Sequence, residues 1–81
     1  MELIDTVELM NSKDYIDRFK AEYYQLDIRI KKLKIFLSKY RKNELDFTAS
    51  CSYSLLYRQY KIMLYYKEYL LQRSVIENID L

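Results

Sequence analysis

The stretch IDRFKAEYYQLDIRIKKLKIFLSKY, residues 16–40, decides the fold. Its apolar positions Ile16, Phe19, Tyr23, Leu26, Ile30, Leu33, Leu37 and Tyr40 fall at alternating intervals of three and four. That spacing lines one stripe of an α-helix and is sustained here over more than three heptads. Glycine and proline are absent from the whole chain. Without them the usual turn punctuation is gone, and long helices joined by short polar links are the expected result. Asn11 or Ser12 can cap the start, so the spacing predicts helix one over residues 13–41, roughly 40 Å at 1.5 Å per residue.

Outward from that helix, RKNELDFTASCS is polar, with Thr48, Ser50 and Ser52 as candidate caps, and residues 42–50 read as a connector. Helix two follows over residues 51–77. Its inner seam reads Leu56, Gln59, Met63, Tyr66, Leu70 and Arg73, flanked by Leu55, Ile62 and Tyr69. Two helices of equal length on a short link predict an all-α, antiparallel, coiled-coil-like hairpin, one domain over residues 1–81. Leu3, Ile4, Val7 and Met10 are at helical spacing, so residues 1–11 are expected to form a short helical segment folded over the hairpin. Gln59 and Arg73 are the polar exceptions on the seam and are expected buried: Gln59 bonded to a facing tyrosine or carbonyl, Arg73 paired with an acid of helix one.

Each helix also carries a second apolar row. On helix one it is Ala21, Tyr24, Ile28 and Ile35; on helix two it is Tyr57, Tyr60, Leu64, Leu71 and Val75. A hairpin offers one inner face per helix, so these rows need another cover. Either the terminal segments supply it or a second copy does. The second option predicts a homo-oligomeric helical bundle whose interface uses Ala21, Ile28, Ile35, Leu64, Leu71 and Val75.

Catalytic chemistry finds no foothold. There is no histidine, a single cysteine (Cys51), no glycine-rich phosphate loop and no nucleophile with a recognisable base. Neither enzyme activity, nor a bound metal, nor any other cofactor is expected. No apolar run approaches the ~20 residues of a bilayer span, and the acidic start MELIDTVE is unlike a secretion signal, so a cytoplasmic protein without membrane contact is expected. The net charge is +2, but IRIKKLKIFLSKYRKN, residues 28–43, holds seven cations and no acid. That run is either a solvated helix face or a landing site for phosphate, nucleic acid or an acidic protein. Nothing marks a recognition helix, so sequence-specific DNA binding is not expected. What remains is binding through tyrosine faces, which stack on flat ligands or anchor protein interfaces, and through Lys and Arg, which meet phosphates.

Glu22, Leu26, Arg29, Ile30, Lys32, Leu33, Phe36 and Leu37, followed by Leu55, Leu56, Gln59, Met63, Tyr66, Leu70 and Arg73, form a pattern that resembles a family of small helical-hairpin proteins of tailed phages, including crAss-like phages. The resemblance spans roughly residues 15–76, and Phe47 matches a phenylalanine of the family's connector. It implies a phage accessory protein and, by analogy with other compact phage products, an inhibitor of bacterial defence. The expected function is non-enzymatic counter-defence by stoichiometric binding, with sequestration of a nucleotide immune signal slightly favoured. In that reading Tyr24, Tyr57, Tyr60 and Tyr65 stack while Lys31, Lys34, Arg58 and Lys61 meet phosphates. Two alternatives stand beside it: an anti-CRISPR-like inhibitor that binds a bacterial immune protein directly, and a structural or regulatory coiled-coil module with no defence role.

Overall fold

The computed structural model, which describes residues 1–81, contains a 3-10 turn at Leu3–Thr6 and three helices: α1 at Val7–Met10, α2 at Tyr15–Arg41 and α3 at Tyr53–Ile76. There are no strands. Early residues of α2 meet late residues of α3: Tyr15 bonds Glu77, Glu22 bonds Tyr66 and Asp27 bonds Lys67, while Tyr40 packs edge-on to Tyr53. The two long helices are therefore antiparallel, in a molecule 43 Å long.

The caps follow from short polar side chains. Asp14, rather than Asn11 or Ser12, caps α2 by accepting from the Ile16 amide at 3.0 Å. Ser12 is occupied otherwise: its hydroxyl donates to Asp17 and accepts from the Asp14 amide, which inserts one more turn before the helix starts. Ser52 caps α3 through the Leu55 amide at 3.1 Å. Both helices end on an asparagine in the left-handed region, Asn43 and Asn78, each with φ 59°. The Glu44 amide reaches Lys39 O and the Ile79 amide reaches Ser74 O, both at 2.8 Å. These are Schellman closures in which asparagine takes the role glycine fills elsewhere.

Along α2 the heptad stripe is inward as its spacing predicts. Phe19, Leu26, Ile30 and Leu37 are buried, Tyr23, Leu33 and Tyr40 half-buried; Ile16, in the first turn, is exposed. On α3 the inner face differs from the expected seam. Leu56, Met63 and Leu70 are inward, but Tyr60, Lys67 and Ser74 accompany them where Gln59, Tyr66 and Arg73 were expected. This amounts to a rotation of about 50° about the helix axis. Gln59 and Arg73 are exposed, and Arg73 pairs with Glu77 of its own helix at 3.2 Å, not with an acid of helix one. The rotation follows from two features of the inner face. Lys67 lies on it because Asp27 of α2 receives its ammonium at 2.8 Å, and the small Ser74 turns its hydroxyl back onto Leu71 O.

Both ends of the chain complete the core. The N-terminal segment lies along the back of α2, where the wholly buried Thr6 accepts from Gln25 at 2.9 Å. Ala21 and Ile28, expected to face a second copy, are buried on that side by the chain's own first residues; Ile35, beyond the segment's reach, stays exposed. After Asn78 the chain turns back, so Ile79 joins Phe19, Leu26, Ile30 and Leu70 in the core, with Leu81 packed against them. Leu64 packs against this core and Leu71 is half-buried, whereas Val75 projects outward.

Candidate ligand-binding cleft

At the connector end, α2 and α3 present matching triplets. Lys34, Ser38 and Arg41 recur at intervals of four and three on one stripe of α2; Tyr53, Tyr57 and Tyr60 recur at the same intervals on the facing stripe of α3. Because the helices are antiparallel, the triplets lie side by side and, with Leu37 as floor, line an open cleft of about 230 Å³. One wall is cationic and the other aromatic.

The tyrosine wall is a continuous row, stacked at one end and tilted by 41° between Tyr57 and Tyr60. Tyr53 and Tyr57 lie nearly parallel, with an interplanar angle of 16° and centroids 6.0 Å apart, and Tyr60 continues the row from Tyr57 at 6.4 Å. Tyr40 closes the far end edge-on to Tyr53, and its hydroxyl donates to Cys51 O. Lys61 lies over the outer face of Tyr57, 5.9 Å from the ring centroid.

The cations of this cleft have no counter-charge within the protein. No carboxylate pairs with Lys34, Arg41 or Lys61, although four ion pairs form elsewhere. A second cavity, about 400 Å³, lies between the N-terminus and the back of α2 and is lined by Tyr24, Lys31 and Lys32 among others. There the cations are already engaged: Lys31 with Asp27 at 2.9 Å and Lys32 with Glu2 at 3.6 Å. The larger cavity is thus neutralised from within, whereas the smaller one keeps its cations unpaired.

Of the eight residues expected to bind ligand, Lys34, Tyr57 and Tyr60 come together in this cleft, with Lys61 at its edge. Tyr24 and Lys31 belong to the other cavity. Arg58 and Tyr65 are exposed elsewhere on α3, Arg58 donating to Ser54 O one turn back. Arg41, Ser38 and Tyr53 are lining residues that the sequence reading missed. Their common spacing with Lys34, Tyr57 and Tyr60 was the available signal, and it becomes legible only once the two helices are set in register.

Two polar clusters hold this frame. Asp27 takes Lys67 and Lys31 together; the hydrogen bond from Lys67, foremost, holds its carboxyl below the usual range, outweighing desolvation. The same bond raises Lys67, whose ammonium also lies 5.8 Å from the Tyr23 ring centroid. At the opposite end, Tyr15 donates to Glu77 at 2.6 Å and accepts from Arg73 at 2.9 Å, while the Arg73 guanidinium covers Phe19 at 4.9 Å. The bond to Glu77 raises Tyr15 and is the leading cause of the lowered Glu77 carboxyl.

The Sequestin family model matches residues 13–76, both long helices and the connector between them. The chain belongs to the Sequestin family. As a Sequestin it keeps the whole cleft within the matched region, whereas the N-terminal turn and the returning Ile79 lie outside it. The family's name is consistent with a binding and sequestering role rather than a catalytic one. Comparison with the curated proteins and with the solved structures found no match. No helix of the protein is long and apolar enough to cross a membrane.

Proposed function

We propose that this Sequestin acts without catalysis, by holding a phosphorylated nucleotide signal in the cleft between Lys34, Arg41 and the Tyr53–Tyr57–Tyr60 row. The observation that carries this is the pairing of unneutralised cations with a stacked aromatic wall. A nucleobase supplies a flat π-surface and its phosphate a charge, and the two walls of the cleft meet one each. The volume is below the roughly 300 Å³ of a pocket that encloses a drug-sized ligand. One base with its adjacent phosphate therefore fills it, and the remainder of a larger nucleotide extends outward over Lys61.

Stoichiometric capture of such a signal suits a phage counter-defence protein that acts on a bacterial immune pathway. The test is thermal melting with cyclic dinucleotides, cyclic trinucleotides and NAD-derived nucleotides. A ligand at 100 times its dissociation constant stabilises the protein by about 2.7 kcal/mol, a rise of some 10–20 °C in a domain this small. If no nucleotide shifts the melting temperature while a host immune protein co-purifies in defined stoichiometry, the nucleotide reading is overturned in favour of direct inhibition of that protein.

A further inference from the structure

Six aromatic rings run without a break from the connector into the cleft. Phe47 packs on Phe36 at 6.1 Å, Phe36 on Tyr40 at 6.2 Å and Tyr40 on Tyr53 at 5.6 Å, where the row Tyr53–Tyr57–Tyr60 begins. Tyr40 is the ring at which this chain crosses from α2 to α3. It does not line the cleft itself. Its carbonyl accepts from the Asn43 amide at 3.1 Å, where α2 stops. Its hydroxyl donates to Cys51 O at 3.3 Å, immediately before the Ser52 cap that starts α3. A single residue thus touches both ends of the connector.

We infer that Tyr40 is a positioning residue of the cleft, setting the gap between the cationic stripe of α2 and the first ring of the aromatic row on α3. This rests on the reading of the cleft as a nucleotide site. The row needs such a support because its own hydroxyls give it none. The tyrosine hydroxyls that bond within the protein are those of Tyr15, Tyr40 and Tyr66; Tyr53, Tyr57 and Tyr60 make no such bond. At one end of the row Tyr60 packs against the hydrophobic core. At the other, Tyr53 is the first residue of α3, and the α2 ring that meets it is Tyr40, edge-on at 69°.

Tyr40 is also fixed with respect to the cations, because Arg41 of the opposite wall follows it directly in the chain. A base that enters between the walls gains most when the gap is already formed; a gap that must be ordered on binding subtracts from affinity. Tyr40 holds that gap from outside. An edge-to-face contact restrains the tilt of the partner ring, whereas an aliphatic side chain fills the same space without imposing an orientation. Leucine at position 40 therefore keeps the space filled and loses the orientation. Phenylalanine keeps the orientation and loses only the bond to Cys51 O.

Calorimetric titration and NMR spectra of isotope-labelled tyrosine rings test this, with the cyclic dinucleotides, cyclic trinucleotides and NAD-derived nucleotides of the melting experiment as probes. For the nucleotide that wild type binds, Tyr40→Leu is expected to weaken affinity about 3- to 10-fold with helicity unchanged, and Tyr40→Phe to stay within about two-fold of wild type. Ile79→Ala, a core variant outside the cleft, is expected to bind like wild type at temperatures where it is folded. Without ligand, Tyr40→Leu is expected to shift the ring signals of Tyr57 and Tyr60, which lie farther along the row, and Tyr40→Phe to leave them in place. Wild-type affinity in Tyr40→Leu overturns the inference while capture in the cleft stands. So does a loss in Ile79→Ala or Tyr40→Phe equal to that in Tyr40→Leu, or unmoved Tyr57 and Tyr60 signals in Tyr40→Leu. A wild type that takes none of these nucleotides overturns the capture reading and this inference with it.

Discussion

Arg41 and Lys34 stand two helical turns apart on one stripe of α2, with no carboxylate to meet either. A charge-assisted hydrogen bond to a phosphate contributes about 1.5–3 kcal/mol, so Arg41→Ala should weaken nucleotide binding by roughly 10- to 150-fold, read by calorimetric titration. Its effect on the melting temperature should be small, because it breaks no ion pair. Asp27 behaves in the opposite way. Its carboxyl is held below 3.8 in the folded protein, so its contribution is complete above that value and is lost as pH falls through the folded pKa. Lys67, raised above 10.5, contributes fully below that pH and loses its contribution as pH rises beyond it. Asp27→Ala should therefore cost about 1–2 kcal/mol at neutral pH and flatten the acid limb of a melting-temperature profile. Single residue types announced part of the cleft: Lys34, Tyr57 and Tyr60 were legible as candidate contacts, but Arg41 and Tyr53 join them only once α2 and α3 are set in register.

Helix α2 was legible because its apolar stripe is continuous and its other faces are mostly polar. Helix α3 was not, since apolar residues surround it: Leu55, Leu56, Tyr57, Ile62, Met63 and Tyr65 point in every direction. Which face turns inward is then settled by partners on other elements, Asp27 for Lys67 and Phe19 for Leu70, and no periodicity within α3 encodes them. The helix ends teach a related lesson. With glycine absent, the stops at Asn43 and Asn78 depend on asparagine tolerating the left-handed region, and the second stop sends Ile79 into the core. Ile79→Ala should lower stability by about 2–4 kcal/mol in chemical denaturation, a cost expected only of a buried side chain. Asn78→Gly should be near neutral or slightly stabilising, while Asn78→Val should cost about 1–2 kcal/mol.

Across the whole molecule, the N-terminal segment explains why the second apolar row of α2 did not need a partner: the chain covers Ala21 and Ile28 itself. Of the two covers the sequence left open, the terminal segment is the one that lies over Ala21 and Ile28, because a sequence shows which surfaces require cover without showing which segment arrives first. The protein also places its positive half at the connector end, where the cleft lies. Ligand capture should accordingly weaken as salt rises, with the association rate falling more than the dissociation rate increases. The most direct measurement is a heteronuclear NMR titration of the labelled protein with the nucleotide that gives the largest thermal shift. Perturbations should centre on Lys34, Ser38, Arg41, Tyr53, Tyr57 and Tyr60. Perturbations centred instead on Tyr24 and Lys31, or absent at saturating nucleotide, would contradict capture in this cleft.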